Sequence, residues 1–395
     1  MKIKTPDYYK DFKCIGGTCI DTCCAGWEVD VDKKKSEYYK SVEGEFGDKL
    51  RKMLIDCPIE DRFVLQENGR CPFLNADNLC DIYINLGEDK LCETCTNFPR
   101  HITEFGNTRE IGISLSCPVS VELIMSREKK IEFETTENDE KITLYNDIDA
   151  NLYFNLCKAR NKLYDICQNR SIAINHRAAI ALDFAKHIQK NIKNHSKTDE
   201  IIAAYSGSDY VNVRLTKLKK YKKNTRKNLI SLFKWLEVYE KELEHIKPEW
   251  QNVLNDTSNL LKSLDESSTD KAKNISADFF LNANVAEYEY EHLLIYYIYR
   301  YFLCSVFDNE AYNKMALGIV ALIFQVTNSK ALYIKQGSFS FNNQITLMRL
   351  YSKETEHSEE NLEVLYNHIK NNKNFSFKSL ISLLLGDDIF NETTT

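Results

Sequence analysis

The sequence predicts a mainly α-helical protein in which a small, irregular, cysteine-rich domain with short strands precedes a larger helical domain. Two observations predict this division. Nine of the 13 glycines, five of the six prolines and ten of the 13 cysteines lie before residue 128. After that point Gly and Pro are rare, and apolar residues recur at the i, i+3, i+4 spacing of long helices. We therefore predict domains at residues 1–128 and 148–395, joined by a linking segment at 129–147.

The first domain carries short elements. Residues 33–57 have apolar side chains at helix spacing, which predicts a short helical patch. The stretches CPFL (71–74) and LCDIYINLG (79–87) are typical of short strands or turns. Ser116 supplies a capping hydroxyl and Pro118 fits the first turn of a helix, so we predict that a helix starts here.

The linking segment and the second domain differ in the spacing of their apolar residues. Residues 130–145 alternate apolar and polar side chains on both sides of a polar turn, which predicts a β-hairpin. Beyond it, helical spacing is clearest in three stretches and polar loops are predicted in two. The helices lie at 174–192, 228–246 and 309–326, and the loops at 203–212 and 264–277.

Composition and charge exclude several classes of protein. With 43% hydrophobic and 28% charged residues, the chain can bury a large core and is not disordered. A net charge of -6 argues against a general nucleic-acid binder, so we interpret the basic run at 214–229 as a solvated helix face. The N-terminus has no signal-peptide core, and the most apolar run, 293–307, is too short to span a bilayer. We predict a cytoplasmic protein without a membrane span.

The cysteines are concentrated at one end of the chain. Nine lie between Cys14 and Cys95, and Cys117 follows shortly. In a reducing cytosol, such clustering favours metal binding over disulfides or unliganded thiols. The remaining cysteines sit in apolar, helix-like contexts in which Cys behaves as a small hydrophobe; these are Cys157, Cys167 and Cys304.

The spacing of the cysteines bears on the kind of metal site. A structural zinc ribbon more often shows two C-x2-C knuckles, and here only Cys92 and Cys95 have that spacing. The pattern therefore favours an iron–sulfur cluster, with zinc as the alternative. In an extended backbone, the adjacent Cys23 and Cys24 would point to opposite faces. One of them can then ligate while the other packs, serves a second site or reacts.

Several familiar enzyme motifs are missing from the sequence. It contains no G-x-G-x-x-G nucleotide loop, no P-loop and no H-E-x-x-H metal motif. A radical S-adenosylmethionine site needs cysteines spaced x3 and then x2. Cys19 and Cys23 satisfy the first gap, but Gly26 stands where the third cysteine is needed.

Four cysteine-bearing stretches resemble the flagellin lysine-N-methylase family. They are FKCIGGTCIDTCCAGWEVDVD (12–32), NGRCPFLNADNLCDIY (68–83), CTNFPRH (95–101) and ISLSCPVSVEL (113–123), in the family's order and spacing. The helical half adds YEHLLIYYIYRYFL (290–303). The resemblance is dense before residue 125 and diffuse after it. A wider class of cysteine-rich zinc- or iron-chelating domains shares the cysteine elements alone.

The resemblance implies transfer of a methyl group from S-adenosylmethionine to lysine ε-amines of flagellin, together with a cysteine-held [4Fe–4S] cluster. Cys57 and Cys92 fall outside the family's pattern. Eight cysteines match it and are the predicted ligand candidates, more than the four that one cluster needs. They are Cys14, Cys19, Cys23, Cys24, Cys71, Cys80, Cys95 and Cys117.

Methyl transfer to lysine needs a neutral amine, and aromatic faces suit both a sulfonium and a methylated ammonium. Tyr297 belongs to a tyrosine-rich helix that could line such a pocket or simply pack. Arg300 could hold the carboxylate of S-adenosylmethionine or pair with an internal Asp or Glu. Asp21 could be a base, an ammonium anchor or a turn residue. Trp27 could shield a cluster or pack in a core.

Two other function classes remain open at this stage. The absence of a standard nucleotide loop leaves room for a non-enzymatic zinc- or iron-binding module that contacts a partner protein. A cluster could also serve a redox protein in electron transfer. The metal content of anaerobically purified protein would separate the zinc module from the two iron–sulfur alternatives.

Overall fold

The computed structural model describes residues 1–141, 148–192, 197–265, 269–283, 285–386 and 389–390. Within these ranges the chain is mainly α-helical, which confirms the predicted fold class. The helices are α1 (Lys33–Ser41), α2 (Gly44–Lys52), α3 (Asp81–Leu86), α4 (Glu93–Asn97), α5 (Pro118–Met125), α6 (Ala150–Cys167), α7 (Ile174–Lys190), α8 (Thr198–Ala204), α9 (Tyr210–Lys219), α10 (Thr225–Lys241), α11 (Pro248–Asp265), α12 (Thr269–Asn282), α13 (Glu287–Tyr301), α14 (Ser305–Asp308), α15 (Ala311–Gln336), α16 (Phe341–Glu356), α17 (Glu359–Asn371) and α18 (Phe377–Leu384).

Short strands form two small sheets in the first third of the chain. The strands are β1 (Lys2–Pro6), β2 (Asp30–Val31), β3 (Leu54–Ile55), β4 (Asp61–Phe63), β5 (Arg100–Phe105), β6 (Thr108–Ile113) and β7 (Phe133–Glu137). One sheet has the order β5-β6-β1-β7 and the other β2-β4-β3. In the larger sheet β1 is parallel to β6, with Lys2 opposite Thr108, and antiparallel to β7.

The hairpin predicted at 130–145 can be compared with this sheet in its first arm. Its first arm is β7, but β7 pairs with the N-terminal strand β1, with Ile3 opposite Thr136. The second predicted arm falls on residues 142–147, which lie outside the described residues. The alternating pattern therefore indicated a strand correctly but could not indicate its partner, because β1 presents an equally suitable edge.

A large core is organised around α15. This 26-residue helix packs against α7, α11, α13, α16 and α17. Among the described residues it is the one helix long and apolar enough to cross a membrane, yet 94% of its most apolar window is buried inside the protein. A helix that is packed against other helices on all sides is apolar on every face, and burial in the core therefore accounts for the composition of α15.

A second, smaller core lies in the cysteine-rich region. Val29, Leu50, Phe63 and Phe73 are almost completely buried there, and Phe73 packs edge-on against Phe63 at 4.9 Å between ring centroids. Two of the cysteines belong to this core and three more pack against it: Cys71 and Cys92, and then Cys24, Cys80 and Cys95. Thiols therefore fill part of the space that apolar side chains fill elsewhere.

Two predicted irregular stretches are helical. The polar stretch 264–277 contains the start of α12, whose inner face is formed by Ala272, Ser276 and Phe279 at helix spacing. Because Ala272 is small and Ser276 is polar, the helical spacing of the buried residues was not apparent in the sequence. LCDIYINLG, predicted as a strand or turn, contains α3, which Gly87 ends with a positive φ of 96°. The helix predicted after Ser116 is confirmed as α5, with Pro118 in its first turn.

We expect Ser340→Ala to lower the free energy of unfolding by about 1 kcal/mol. The Ser340 side chain accepts a hydrogen bond from the backbone N–H of Asn343, and the Asn343 side chain bonds back to the Ser340 N–H, so both cap the first turn of α16. Urea denaturation would measure the loss. Asn342→Ala, at an exposed position in the same turn, is the control and should cost nothing, since Ala is the better helix former.

Candidate functional site

The cysteine-bearing loop at 14–27 lies against α16, where one carboxylate meets three cations. Asp21 forms ion pairs with Arg349 and Lys353, four residues apart on one face of α16. Its other oxygen lies 3.4 Å from the ammonium of Lys247, which also donates to the carbonyl of Ala25 at 3.1 Å. Asp21 therefore fixes the loop to the helical part of the chain, a role beyond the turn residue considered from the sequence.

Two of these cations are well buried. The side chain of Lys353 is 1% exposed, and its ammonium lies 5.0 Å from the ring centroid of Trp27. Burial, together with the neighbouring Lys247 and Arg349, lowers the pKa of Lys353 to about 7, while the nearby thiols of Cys23 and Cys19 oppose that shift. Nε of Arg349 is also buried and has no hydrogen-bond partner within the described ranges. Three basic side chains thus share the single carboxylate of Asp21.

Aromatic rings close one side of this interface. Trp27 stacks on His357 at 5.0 Å and lies 5.2 Å from Phe98. His357 follows α16 directly, and its Nε2 is 2.6 Å from the hydroxyl of Ser116, the residue before Cys117. Trp27 therefore contacts both the small core and α16, so the two roles considered for it from the sequence are compatible.

A carboxylate network lies behind the rings. Glu356, at the end of α16, is 3.0 Å from Arg300 and accepts hydrogen bonds from the hydroxyls of Tyr296 (2.9 Å), Tyr297 (3.3 Å) and Tyr301 (2.7 Å). The internal partner considered for Arg300 is thus Glu356. The tyrosine-rich helix α13 packs in the large core and also faces this network. Roles for Arg300 and Tyr297 toward S-adenosylmethionine stay predictions.

A second carboxylate of α13 gives a pH-dependent prediction. Glu289 is 4% exposed, its Oε1 accepts from the Ala286 N–H at 3.2 Å, and burial raises its pKa to about 7. The folded state therefore binds this proton more tightly than the unfolded chain. Stability from Glu289 is present below about pH 4.5 and is lost as pH rises to about 7.

We expect Glu289→Gln to be more stable than the parent protein by about 2 kcal/mol at pH 8 and about equally stable at pH 5. Urea denaturation at both pH values would measure this difference. An equal offset at the two pH values would show that Glu289 is already ionised in the folded protein at pH 5.

The eight predicted ligand thiols fall into two neighbouring groups. The inner group belongs to the small core, where the N–H of Cys71 donates to the carbonyl of Cys24 at 2.8 Å and Leu74 forms a β-bridge with Cys80. A hydrogen bond with the Cys92 thiol and burial raise the pKa of Cys95, and the charges of Cys24 and Cys71 act in the same direction. The inner group is Cys24, Cys71, Cys80 and Cys95.

The outer group lies nearer to α16. The charges of Cys14 and Cys117 raise the pKa of Cys23, and the ammonium of Lys353 acts on both Cys19 and Cys23. A hydrogen bond between the adjacent thiols lowers the pKa of Cys24 to about 7 and raises that of Cys23. The outer group is Cys14, Cys19, Cys23 and Cys117.

A family model described as the FliB lysine N-methylase C-terminal domain matches residues 160–383, which is more than half of the chain. The chain belongs to the FliB lysine N-methylase family. The matched part includes Lys247, Arg300, Arg349, Lys353 and His357, so most of the helical face of the site lies within the FliB region.

Three curated proteins are similar to this FliB-family chain. Flagellar biosynthetic protein FliU of Salmonella muenchen is 27% identical over 132 residues, which cover 30% of this chain and 73% of that protein. Lysine-N-methylases of Salmonella choleraesuis (strain SC-B67) and Salmonella typhimurium (strain LT2) are also 27% identical over 132 residues. The match spans 31% of the length of each of these two proteins. No solved structure matches the chain.

The thiols of this FliB-family protein fit a metal site in their chemistry. Thiolates are the ligands that zinc and iron–sulfur clusters prefer, and each group supplies four. In the part of the chain that the structure describes, no three Cys, His, Asp or Glu side chains converge as a finished metal site. Binding would therefore require the thiols of a group to turn toward one another.

The sequence did not indicate the helical face of the site. Lys247, Arg349, Lys353 and Glu356 were not predicted to take part, although three of them lie in MRLYSKETEH (348–357). A signal was present: charged residues at 349, 353 and 356 share one face of α16, which is buried from Leu347 to Glu356. Cys57, by contrast, lies beside Asp61, which accepts its backbone N–H at 3.2 Å, and belongs to neither thiol group.

Proposed function

We propose that this protein is a cytoplasmic, S-adenosylmethionine-dependent protein-lysine N-methyltransferase that acts on flagellin and holds a [4Fe–4S] cluster on its cysteines. Membership of the FliB lysine N-methylase family carries the proposal. The names of the relatives, two lysine-N-methylases and one flagellar biosynthetic protein, support the reaction and a flagellar substrate. The cysteine groups support the cluster through their donor chemistry.

Methyl transfer first requires a neutral substrate amine, and the cations of the interface favour that form. An ammonium has no lone pair, so the substrate lysine must lose its proton before the methyl group is transferred. Lys353, Arg349 and Lys247 create a positive field in a partly desolvated site, and both effects lower the pKa of an incoming lysine. Asp21 and Glu356 are each held by several donors, so we assign the proton to water rather than to either carboxylate.

The reaction also requires binding of two positively charged groups, and the aromatic side chains of the site suit them. The sulfonium donor and the methylated product both carry positive charge on groups that bind well to aromatic faces. Trp27 and Phe98 place such faces beside His357, and the hydroxyls of Tyr296, Tyr297 and Tyr301 surround Glu356, the preceding residue. For the donor's carboxylate, Arg300 remains a predicted partner, and Arg349 is a further one because its buried Nε is unpaired within the described ranges. When bound, a [4Fe–4S] cluster would supply a thiolate-held Lewis acid and electron store at the cysteine groups.

Transfer of labelled methyl from S-adenosylmethionine to purified flagellin tests the proposal. Anaerobically purified, cluster-loaded protein should label flagellin, and mass spectrometry should locate the label on lysine. The matched control is flagellin whose lysines have been blocked by acetylation, which should take up no label. Absence of transfer by cluster-loaded protein, or a colourless zinc protein without affinity for S-adenosylmethionine, would overturn the proposal in favour of a non-enzymatic module.

A further inference from the structure

The basic run at 214–229 is part of a larger surface that the sequence alone does not show. In the structure this run covers the end of α9, a short turn and the first turn of α10. Most of its basic side chains are exposed, among them Lys220 and Lys227. Two other helices, α7 and α18, bring further lysines to the same place.

Phe377, the first residue of α18, is the point at which these elements meet. The ammonium of Lys186 on α7 lies 3.4 Å from the centroid of the Phe377 ring. The ring of Tyr221 lies 5.6 Å from the same ring, and the ammonium of Lys220 lies 5.0 Å from the centroid of Tyr221. Lys378, which follows Phe377 directly, is exposed. Lysines from three parts of the chain therefore surround one buried ring.

The start of α10 is fixed to the same helix. The backbone N–H of Lys223 donates to the hydroxyl of Ser382 on α18 at 2.8 Å, and the side chain of Asn228 donates to the Ser382 carbonyl at 3.2 Å. Burial lowers the pKa of Lys223, and the charges of Lys227 and Lys378 act in the same direction. We call this group of five lysines the basic surface: Lys186, Lys220, Lys223, Lys227 and Lys378.

The basic surface lacks matching negative charge. None of its five ammonium groups forms an ion pair with a carboxylate within the described ranges. Asp183, one turn before Lys186 on α7, is 7% exposed and already accepts a hydrogen bond from the hydroxyl of Tyr205 at 2.6 Å. The whole chain has a net charge of -6, so this local excess of positive charge is not a general property of its surface. Such a surface favours a partner that presents carboxylates.

We propose that the basic surface docks an acidic segment of the protein substrate at a distance from the candidate site. α10 begins beside this surface, and its 17 residues span about 25 Å at a rise of about 1.5 Å per residue. Beyond the other end of α10 the chain continues to Lys247, which contacts the cysteine loop. A small methyl donor cannot bridge that length, whereas a protein with its target lysine at one point and carboxylates at another can. The identity of the partner as a methylation substrate rests on the proposed function.

Nucleic acid fits this surface less well than an acidic protein does. Proteins that bind single strands combine basic side chains with exposed aromatic faces on which the bases stack. Here Phe377 is only 9% exposed, and Lys186 and Tyr221 lie against its ring. The net charge of -6 also opposes the approach of a chain that carries a charge on every phosphate.

The affinity for flagellin in the absence of a methyl donor tests the basic surface. The triple variant Lys220→Gln, Lys227→Gln and Lys378→Gln removes three exposed charges that lie outside the candidate site. We expect the Kd of flagellin to rise about tenfold in this variant at a salt concentration of about 50 mM. The parent protein should lose a similar factor between about 50 mM and about 300 mM salt, because exposed charges are screened.

A second triple variant is the matched control. Lys52→Gln, Lys130→Gln and Lys262→Gln remove the same charge from exposed positions elsewhere on the chain. This variant should bind flagellin as tightly as the parent protein. A polyglutamate peptide should compete with flagellin for the parent protein, and a polylysine peptide should not.

Steady-state kinetics give a readout that separates docking from chemistry. In the first triple variant the KM for flagellin should rise about tenfold while kcat changes less than about twofold, because docking contacts are equal in the ground state and the transition state. A short peptide with one lysine and no acidic residue is too small to reach the basic surface. Its KM should therefore be the same in the parent protein and the variant.

The outcomes distinguish this proposal from the proposed function. Equal affinity of the two triple variants for flagellin would overturn the docking surface and leave the proposed methyltransferase intact. Binding of flagellin through these lysines without any methyl transfer would support the docking surface and overturn the proposed function. Tighter binding of duplex DNA than of flagellin, lost in the first triple variant, would overturn the acidic protein in favour of nucleic acid.

Discussion

Glu110→Gln is expected to lower the free energy of unfolding by about 3–5 kcal/mol. Glu110 on β6 forms two hydrogen bonds of 2.6 Å to the guanidinium of Arg160 on α6, and their side chains are 5% and 1% exposed. The variant removes the carboxylate charge and leaves the arginine buried between the rings of Tyr164 and Tyr299. Urea denaturation followed by circular dichroism would measure the loss.

A double variant controls for the loss of packing. Replacing both partners, as Glu110→Leu with Arg160→Met, removes the charge and the unpaired group together, so it should cost much less than the single change. A single-variant loss under about 1 kcal/mol would mean that water reaches the guanidinium and that the pair does little to join the sheet to the helices.

Asp21→Asn is expected to lower the free energy of unfolding by about 3 kcal/mol, and to release the cysteine loop from α16. Three cations lose the carboxylate that they share, and their side chains are only 1–12% exposed. Mutual repulsion then favours an open interface. Urea denaturation would measure the loss, and limited proteolysis at Lys13 would detect a loosened loop.

Asp77→Asn, an exposed carboxylate in the same cysteine-rich region, is the matched control. It removes one negative charge at a site open to solvent, and we expect a change within about 0.5 kcal/mol. Equal stability of Asp21→Asn and Asp77→Asn would contradict this prediction. It would mean that groups other than Asp21 neutralise the three cations and that Asp21 contributes no more than an exposed carboxylate.

The sequence predicted those parts of the fold that depend on local pattern. The Ser116 cap and Pro118 identify α5, and the apolar period identifies α7, α10 and α15. It did not predict α12, because Ser276 and Ala272 occupy core positions where apolar bulk was expected. It also did not predict the partner of β7, because pairing with β1 depends on residues more than a hundred positions away.

The candidate site was predicted on one side only. Clustered cysteines stand out in any sequence because the residue is rare and its chemistry narrow. The cations that face them lie more than 200 residues further along, as in the contact of Lys247 with Ala25. Lys and Arg are common on helices, so only the three-dimensional arrangement shows that Arg349 and Lys353 turn inward. Arg300 was singled out because it interrupts an apolar run, and its partner Glu356 could not be found without the fold.

The strand order β5-β6-β1-β7 has a consequence for synthesis on the ribosome. β1 occupies an interior position in its sheet, although both of its neighbours come roughly a hundred residues later. At translation speeds of about 5–20 residues per second, β1 stays unpaired for several seconds or more. During that interval the cysteine-bearing segment between β1 and β5 has left the ribosome, but the sheet to which these two strands belong has not yet formed. Chaperones or metal donors that act on nascent chains would therefore meet these thiols before α16 covers them.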